Sequence, residues 1–176
     1  MSRLVLIPVF IVVYYLPFEM SHYTAAAIFG FAALTDWLDG YVARKYDQST
    51  KLGAFMDPVA DKVIVVAALV LLIEQHASIL FTIPAIVIIS REIVISALRE
   101  WMAELGKRSS VAVSYVGKVK TTAQMSSIFM LIAFDAELHP ELYLAGYLML
   151  YAAAVLTLWS MIIYLKAAWP ELMAEK

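Results

Sequence analysis

The chain has 176 residues, of which 63% are hydrophobic, and its mean hydropathy is +0.81. Because soluble globular proteins are only about half apolar, this composition excludes an ordinary water-soluble domain and indicates one integral membrane domain over residues 1–176. The sequence has no cysteine, which excludes disulfide bonds and thiol chemistry. The net charge of −2 says little as a total, and we expect no nucleic-acid partner.

Six apolar segments follow one another along the chain, and a helix that spans a bilayer needs about 20 such residues. They cover residues 4–18, 23–42, 59–73, 79–98, 111–134 and 142–165. The helices of a soluble bundle need a polar face toward water, and these segments have no such face. We therefore predict an all-α, polytopic membrane protein with six transmembrane helices.

The thirteen Lys and Arg residues are distributed unevenly between the predicted loops. If the N-terminus is cytoplasmic, all of them fall on the cytoplasmic side or in the cytoplasmic half of a helix. The opposite loops, near residues 19–22, 74–76 and 135–141, contain no Lys or Arg. The positive-inside rule therefore predicts that both termini are cytoplasmic. His22, His76 and His139 fall at the opposite side, where we expect solvated loop residues.

Residues 36–61, DWLDGYVARKYDQSTKLGAFMDPVAD, place four carboxylates in a chain otherwise suited to lipid. Asp36 and Asp39 share one helix face, and Asp57 and Asp61 share a face of the next helix. A short polar turn at about residues 45–51 lets the two pairs face each other. Because so many carboxylates need positive charge among them, we predict two hard divalent cations, Mg²⁺ or Mn²⁺, at a phosphotransferase site.

Two other interpretations of these carboxylates remain open. Asp57 precedes Pro58 and is therefore a candidate helix N-cap, although this would explain only one carboxylate. The four residues are also compatible with a divalent-cation or proton-coupled transporter. Transporters usually place their site near the bilayer midplane on repeated, broken helices, whereas these carboxylates cluster at one membrane face.

The fourth segment carries more charge than a lipid-facing helix tolerates. Arg91 and Arg99 are two turns apart, about 80° around the helix, so both can point into one cavity. One interpretation is an ion-pair network with Glu92 and Glu100. The other is an anion pocket, because a guanidinium group can grip a phosphate through two hydrogen bonds. That pocket would be completed by Lys118, with Lys120 and Arg108 as further candidates.

The stretch of residues 36–61 resembles the signature of the CDP-alcohol phosphotransferase family, D-x-x-D-G-x-x-A-R, eight residues, G-x-x-x-D-x-x-x-D. Every fixed position is filled, by Asp36, Asp39, Gly40, Ala43, Arg44, Gly53, Asp57 and Asp61. Residues 91–125 resemble the acceptor side of the bacterial branch that uses glycerol 3-phosphate. The likeness spans nearly the whole chain and is weakest in the last two segments, which we interpret as scaffold.

The resemblance implies transfer of a phosphatidyl group from CDP-diacylglycerol to glycerol 3-phosphate, giving phosphatidylglycerophosphate and CMP. It implies a homodimer in the bacterial inner membrane, embedded among membrane lipid, with the site facing the cytoplasm. Alternative acceptors are serine, inositol phosphate and phosphatidylglycerol. The family begins with an interfacial helix before the first span, and we expect this chain to lack or shorten it.

The resemblance also assigns roles to residues. It implies that the metal ligands are Asp36, Asp39, Asp57 and Asp61, with Asp61 also the general base. The implied contacts to CDP-diacylglycerol or CMP are Asp36, Asp39, Gly40, Ala43, Arg44, Gly53 and Asp57. The implied contacts to glycerol 3-phosphate are Arg91, Arg99, Lys118 and Arg108. Helix packing by small residues remains an alternative role for Gly40 and Gly53.

Overall fold

A computed structural model of the chain describes residues 2–46, 51–106 and 115–174. Within these ranges it describes the side chains except those of residues 2–4, 36–46, 51–58, 115, 116, 118, 171, 172 and 174.

The described ranges form six α-helices and contain no strand, which confirms the predicted all-α fold. Each helix overlaps one predicted apolar segment. The helices are α1 (Ser2–Tyr15), α2 (Ser21–Tyr46), α3 (Lys51–His76), α4 (Ile79–Glu104), α5 (Tyr115–Ala133) and α6 (Pro140–Ala174).

Several helices extend beyond their apolar segments. Helix α3 begins at Lys51, eight residues before the predicted segment, so Asp57 lies inside the helix. The interpretation of Asp57 as an N-cap is therefore wrong. Hydropathy marks only the part of a helix that suits hydrocarbon, whereas a helix of 26 residues is about 39 Å long and exceeds a hydrocarbon layer of about 30 Å. The polar residues at its start continue the helix outside that layer.

Successive helices run in opposite directions, and the turns at residues 16–20, 77–78 and 134–139 gather at one end of the bundle. Tyr15 at the end of α1 donates a hydrogen bond to Glu74 near the end of α3. The ring of Tyr23 in the first turn of α2 contacts that of Phe134, which follows α5. The carboxylate-bearing ends of α2 and α3 consequently lie at the opposite end.

The three histidines lie at the turn-bearing end, as predicted, and His139 lies in the turn before α6, but His22 and His76 lie within helices and all three are partly buried. His76, the last residue of α3, stacks on Phe81 with ring centroids 4.6 Å apart, and it also stacks on Tyr143. His22 and His139 contact the rings of Tyr14 and Phe134 respectively. The expectation failed because an imidazole ring has a flat, partly apolar body that packs against aromatic rings even near a helix end.

The outer surface of the bundle is apolar. Along α4, Ile79 is 73% exposed and Ile93 is 64% exposed, and Val155 and Trp159 are similarly exposed on α6. Soluble monomers rarely expose apolar patches larger than a few hundred Å². Among the described residues, α4 and the Pro140–Pro170 part of α6 are long and apolar enough to cross a membrane, as judged by length and composition. This surface fits lipid rather than water.

Helices α5 and α6 pack closely against each other at Gly146. The Ser127 hydroxyl donates a hydrogen bond of 2.7 Å to the carbonyl oxygen of Gly146, so the two backbones are drawn together. A Cβ atom at position 146 would lie 3.0 Å from Cγ of Leu131 and 3.1 Å from Cβ of Met130. Position 146 therefore needs glycine for the sake of packing.

We predict that Gly146→Val lowers the free energy of unfolding by about 1–3 kcal/mol, because the added atoms overfill the α5–α6 contact. The measurement is denaturant titration of the purified protein in detergent micelles. Ala152→Val, which adds bulk at an exposed position of the same helix, is the matched control and should change stability little. Equal effects of the two substitutions would contradict the packing argument.

Candidate active site

A cavity of about 490 Å³ lies among α2, α3, α4 and α5. Its walls combine small apolar residues of α2 and α3 with charged and polar residues of α3, α4 and α5. The lining residues are Ala32, Ala33, Ala60, Asp61, Lys62, Ile64, Val65, Glu92, Lys120, Thr121, Thr122, Gln124, Met125 and Ser126. We call this space the polar cavity.

The four predicted carboxylates belong to α2 and α3, and both of these helices line the polar cavity. Asp61, the predicted base, lines the cavity directly. Asp57 precedes it by one turn of α3, and Asp36 follows the lining residue Ala32 by one turn of α2. Helical periodicity therefore puts Asp36 and Asp39 on a face that continues one cavity wall, and Asp57 on a face that continues another. The side chains of these three aspartates lie outside the described residues.

The other residues of the signature are placed by their helices alone. Gly40, Ala43 and Arg44 belong to the last two turns of α2, and Gly53 is the third residue of α3. The described side chains do not include those of Ala43 and Arg44. Their predicted contacts to the nucleotide remain predictions.

A group of three charged side chains joins α4 to α5. Nη1 of Arg91 donates to Oε1 of Glu92 at 3.3 Å, and Nζ of Lys120 donates to the same oxygen. Arg91 and Lys120 are both almost completely buried. Glu92 therefore forms the ion pair with Arg91 that the sequence suggested, and a second one with Lys120. Because two cations share one carboxylate, the group carries one net positive charge, which favours the binding of an anion.

Arg91 and Arg99 converge on a single aromatic ring. Their guanidinium carbons lie 5.5 and 5.8 Å from the ring centroid of Tyr164 on α6, which is within the range of cation–π attraction. Nη2 of Arg91 also donates to the Ser160 hydroxyl at 3.1 Å. The two arginines thus lie close together, whereas the prediction that both point into one anion-binding cavity stays a prediction. Neither belongs to the described lining of the polar cavity, because both turn toward α6.

The remaining predicted acceptor contacts are less well defined. Lys118 lies in the first turn of α5, and its side chain is not among those described. Arg108 lies outside the described residues altogether. Their roles remain predictions.

Sequence reasoning missed several residues of the cavity wall. Lys62 lines the cavity and donates a hydrogen bond to the hydroxyl of Ser96 on α4. Gln124 on α5 also lines the cavity, one turn after Lys120, which the sequence already suggested as a candidate. These two residues and Ser127, which lies outside the described lining, are each at most 3% exposed. Their spacing of three or four residues marks one polar face of an apolar helix, and this pattern could have identified Gln124. Nothing in the sequence separates Tyr164 from the other tyrosines.

The fold and the cavity define the class of protein as a helical membrane protein. Its surface suits lipid, and a cavity with charged residues lies beside α2 and α3, the helices that carry the signature. The family model for CDP-alcohol phosphatidyltransferase matches residues 1–159. The chain therefore belongs to the CDP-alcohol phosphatidyltransferase family, as the residue pattern predicted.

Individual relatives cover almost the whole chain. The CDP-diacylglycerol–glycerol-3-phosphate 3-phosphatidyltransferase of Yersinia pestis (strain Pestoides F) is 57% identical over 171 residues, which are 97% of this chain and 92% of the relative. The protein of the same name from Salmonella paratyphi A is 56% identical over 175 residues, or 98% of this chain and 93% of the relative. The similarity therefore includes α5 and α6, where the sequence motifs are weakest.

We predict that Glu92→Gln lowers the free energy of unfolding by about 3 kcal/mol, because it leaves two buried cations without their carboxylate. Lys120→Met should lower it by a smaller amount, because Glu92 keeps its ion pair with Arg91. The double variant should lose about 1–3 kcal/mol less than the sum of the single losses. Denaturant titration in detergent micelles measures all three.

Glu100→Gln on the exposed side of α4 is the control for loss of a carboxylate, and it should change stability by no more than about 0.5 kcal/mol. Strict additivity of the Glu92 and Lys120 substitutions would show that the two side chains do not depend on each other.

Proposed function

We propose that the protein transfers the phosphatidyl group of CDP-diacylglycerol to the 1-hydroxyl of glycerol 3-phosphate. The hydroxyl oxygen bonds to the phosphorus of the phosphatidyl group, and the bond from that phosphorus to CMP breaks. The products are phosphatidylglycerophosphate and CMP. The observation that carries this proposal is the 57% identity over nearly the whole chain to a relative whose name states this donor, acceptor and transfer.

The choice of acceptor is supported by the charges around the polar cavity. Lys62 and Lys120 line it, and Arg91 contributes to the excess positive charge around Glu92. In this proposal Arg91, Arg99, Lys118 and Arg108 hold the phosphate of glycerol 3-phosphate. Nε of Arg91 is buried and has no hydrogen-bond partner among the described residues, so its N–H group is available to donate a hydrogen bond to a phosphate. Serine carries no phosphate that would use so many cations.

Divalent cations fit the residues of this site. The carboxylate of Asp61 lies on the wall of the polar cavity, and Asp57 is one turn away on the same helix. Carboxylate oxygens are the ligands that Mg²⁺ and Mn²⁺ prefer. We propose that Asp36, Asp39, Asp57 and Asp61 hold two such ions, which when bound neutralise charge on the pyrophosphate of the donor.

The protein's own residues then position the reactants and move one proton. Asp61 accepts the proton of the 1-hydroxyl as its oxygen attacks, which is the work of a general base. The basic residues hold the acceptor phosphate, so that this hydroxyl stays near the donor. The small lining residues Ala32, Ala33 and Ala60 leave room for the nucleotide end of the lipid.

We also propose six membrane crossings, with both termini and the polar cavity facing the cytoplasm of a bacterium, and a homodimeric assembly. The up-and-down arrangement of the helices supports the crossings, and the apolar exterior supports contact with lipid. The turns at residues 16–20, 77–78 and 134–139 contain no Lys or Arg, which supports the orientation. A water-soluble acceptor would reach the cavity from the cytoplasmic side.

Acceptor competition tests the function. Purified protein with CDP-diacylglycerol and Mg²⁺ should release CMP when glycerol 3-phosphate is added, and an equal concentration of serine, inositol phosphate or phosphatidylglycerol should release at least about tenfold less. Excess chelator should abolish the release, and added Mg²⁺ or Mn²⁺ should restore it. CMP release with another acceptor alone would overturn the choice of glycerol 3-phosphate, and full activity in chelator would overturn the metal proposal.

Replacement of the proposed base is the second test. Asp61→Asn should lower kcat by about 10²–10⁴-fold, the usual contribution of a general base, while CDP-diacylglycerol still binds. Asp135→Asn makes the same chemical change at the turn-bearing end and is expected to leave kcat unchanged. Retention of wild-type kcat by Asp61→Asn would remove Asp61 as the base.

A further inference from the structure

Gln124 is a buried polar residue that the reaction described above does not use. Only 3% of it is exposed, and it lies on α5 one turn after Lys120, on the wall of the polar cavity. Its Oε1 atom is shielded from solvent and has no hydrogen-bond partner among the described residues. The other two buried polar side chains of this helix face are satisfied, Lys120 by Glu92 and Ser127 by the carbonyl of Gly146.

An unpaired amide oxygen at this depth calls for an explanation, because buried acceptors in proteins are almost always paired. The terminal torsion of a glutamine side chain is soft, so a small rotation turns Oε1 toward the cavity that Gln124 lines. The oxygen can then accept a hydrogen bond from a ligand. It cannot bind a phosphate dianion, which offers no proton.

The acceptor substrate offers two protons of the right kind. Glycerol 3-phosphate has a primary hydroxyl at C1 and a secondary hydroxyl at C2. In the proposed reaction the C1 proton goes to Asp61 and the phosphate goes to the basic residues. The C2 hydroxyl is the group left without a partner.

We propose that Gln124 determines acceptor specificity by accepting a hydrogen bond from the C2 hydroxyl of glycerol 3-phosphate. This inference rests on the proposed function and deepens it. The amide oxygen stays unpaired when the acceptor lacks that hydroxyl, so such an acceptor is rejected. Asp61 on α3 and Gln124 on α5 line the same cavity, which is the space where the proposal places the acceptor.

The experiment compares glycerol 3-phosphate with propane-1,3-diol monophosphate, which is the same molecule without the C2 hydroxyl. The full-length protein in detergent with CDP-diacylglycerol should show a kcat/KM at least about tenfold higher for glycerol 3-phosphate. Gln124→Leu should reduce this preference to less than about threefold, mainly through a higher KM for glycerol 3-phosphate. Because the preference is a ratio within one preparation, it does not depend on how much of the variant is folded.

Two further variants complete the design. Gln124→Met keeps the unbranched length of the side chain and should lose the preference in the same way, which provides a second readout if Gln124→Leu does not fold. Gln75→Leu makes the same chemical change at the turn-bearing end, where Gln75 accepts a hydrogen bond from Tyr14, and it should keep the wild-type preference.

Each outcome decides the proposal. Equal use of the two acceptors by the wild type would overturn it, and so would a wild-type preference in either Gln124 variant. Transfer to neither acceptor by the wild type would instead overturn the proposed function, so the two failures are distinguishable.

Discussion

A charge inside a lipid-facing bundle must have a partner, and this requirement organises the inner part of the structure. Glu92 shows how it is met, because its carboxylate receives Arg91 from its own helix and Lys120 from α5. The same requirement explains why Arg91 and Arg99 turn toward the ring of Tyr164 instead of toward lipid. The contact of Glu92 with Lys120 joins α4 to α5, and the contacts of both arginines with Tyr164 join α4 to α6, so these polar groups help to fix the arrangement of the helices.

The two ends of the bundle satisfy their polar groups in different ways. At the turn-bearing end, tyrosine hydroxyls and histidine rings pair with neighbouring side chains or pack against aromatic rings, as Tyr15 does with Glu74 and His76 with Phe81. At the other end the polar groups surround an open space of about 490 Å³. This space has both apolar residues and the charged residues Asp61, Lys62, Glu92 and Lys120 on its wall, so it can admit a molecule that carries charge. The difference supports the assignment of chemistry to the end that carries the signature.

Much of the fold and part of the site follow from the sequence. Hydropathy predicts all six helices, because long apolar runs fold only as helices in lipid, and helical spacing predicts that Asp57 and Asp61 share a face. Hydropathy misses the true start of α3 and the full length of α6, because a helix continues past the apolar layer. The contacts of Tyr164 and the proposed role of Gln124 depend on which helices are neighbours, and a single sequence does not record that.

The narrow contact at Gly146 has a consequence for how this protein distinguishes one small alcohol from another. The hydrogen bond from Ser127 and the missing Cβ of Gly146 allow α5 to pack closely against α6 at this point. Lys120 and Gln124 are carried on that same helix. In a protein built in this way, the choice of acceptor alcohol would change through substitutions of side chains on α5, while the position of the helix backbone stays the same.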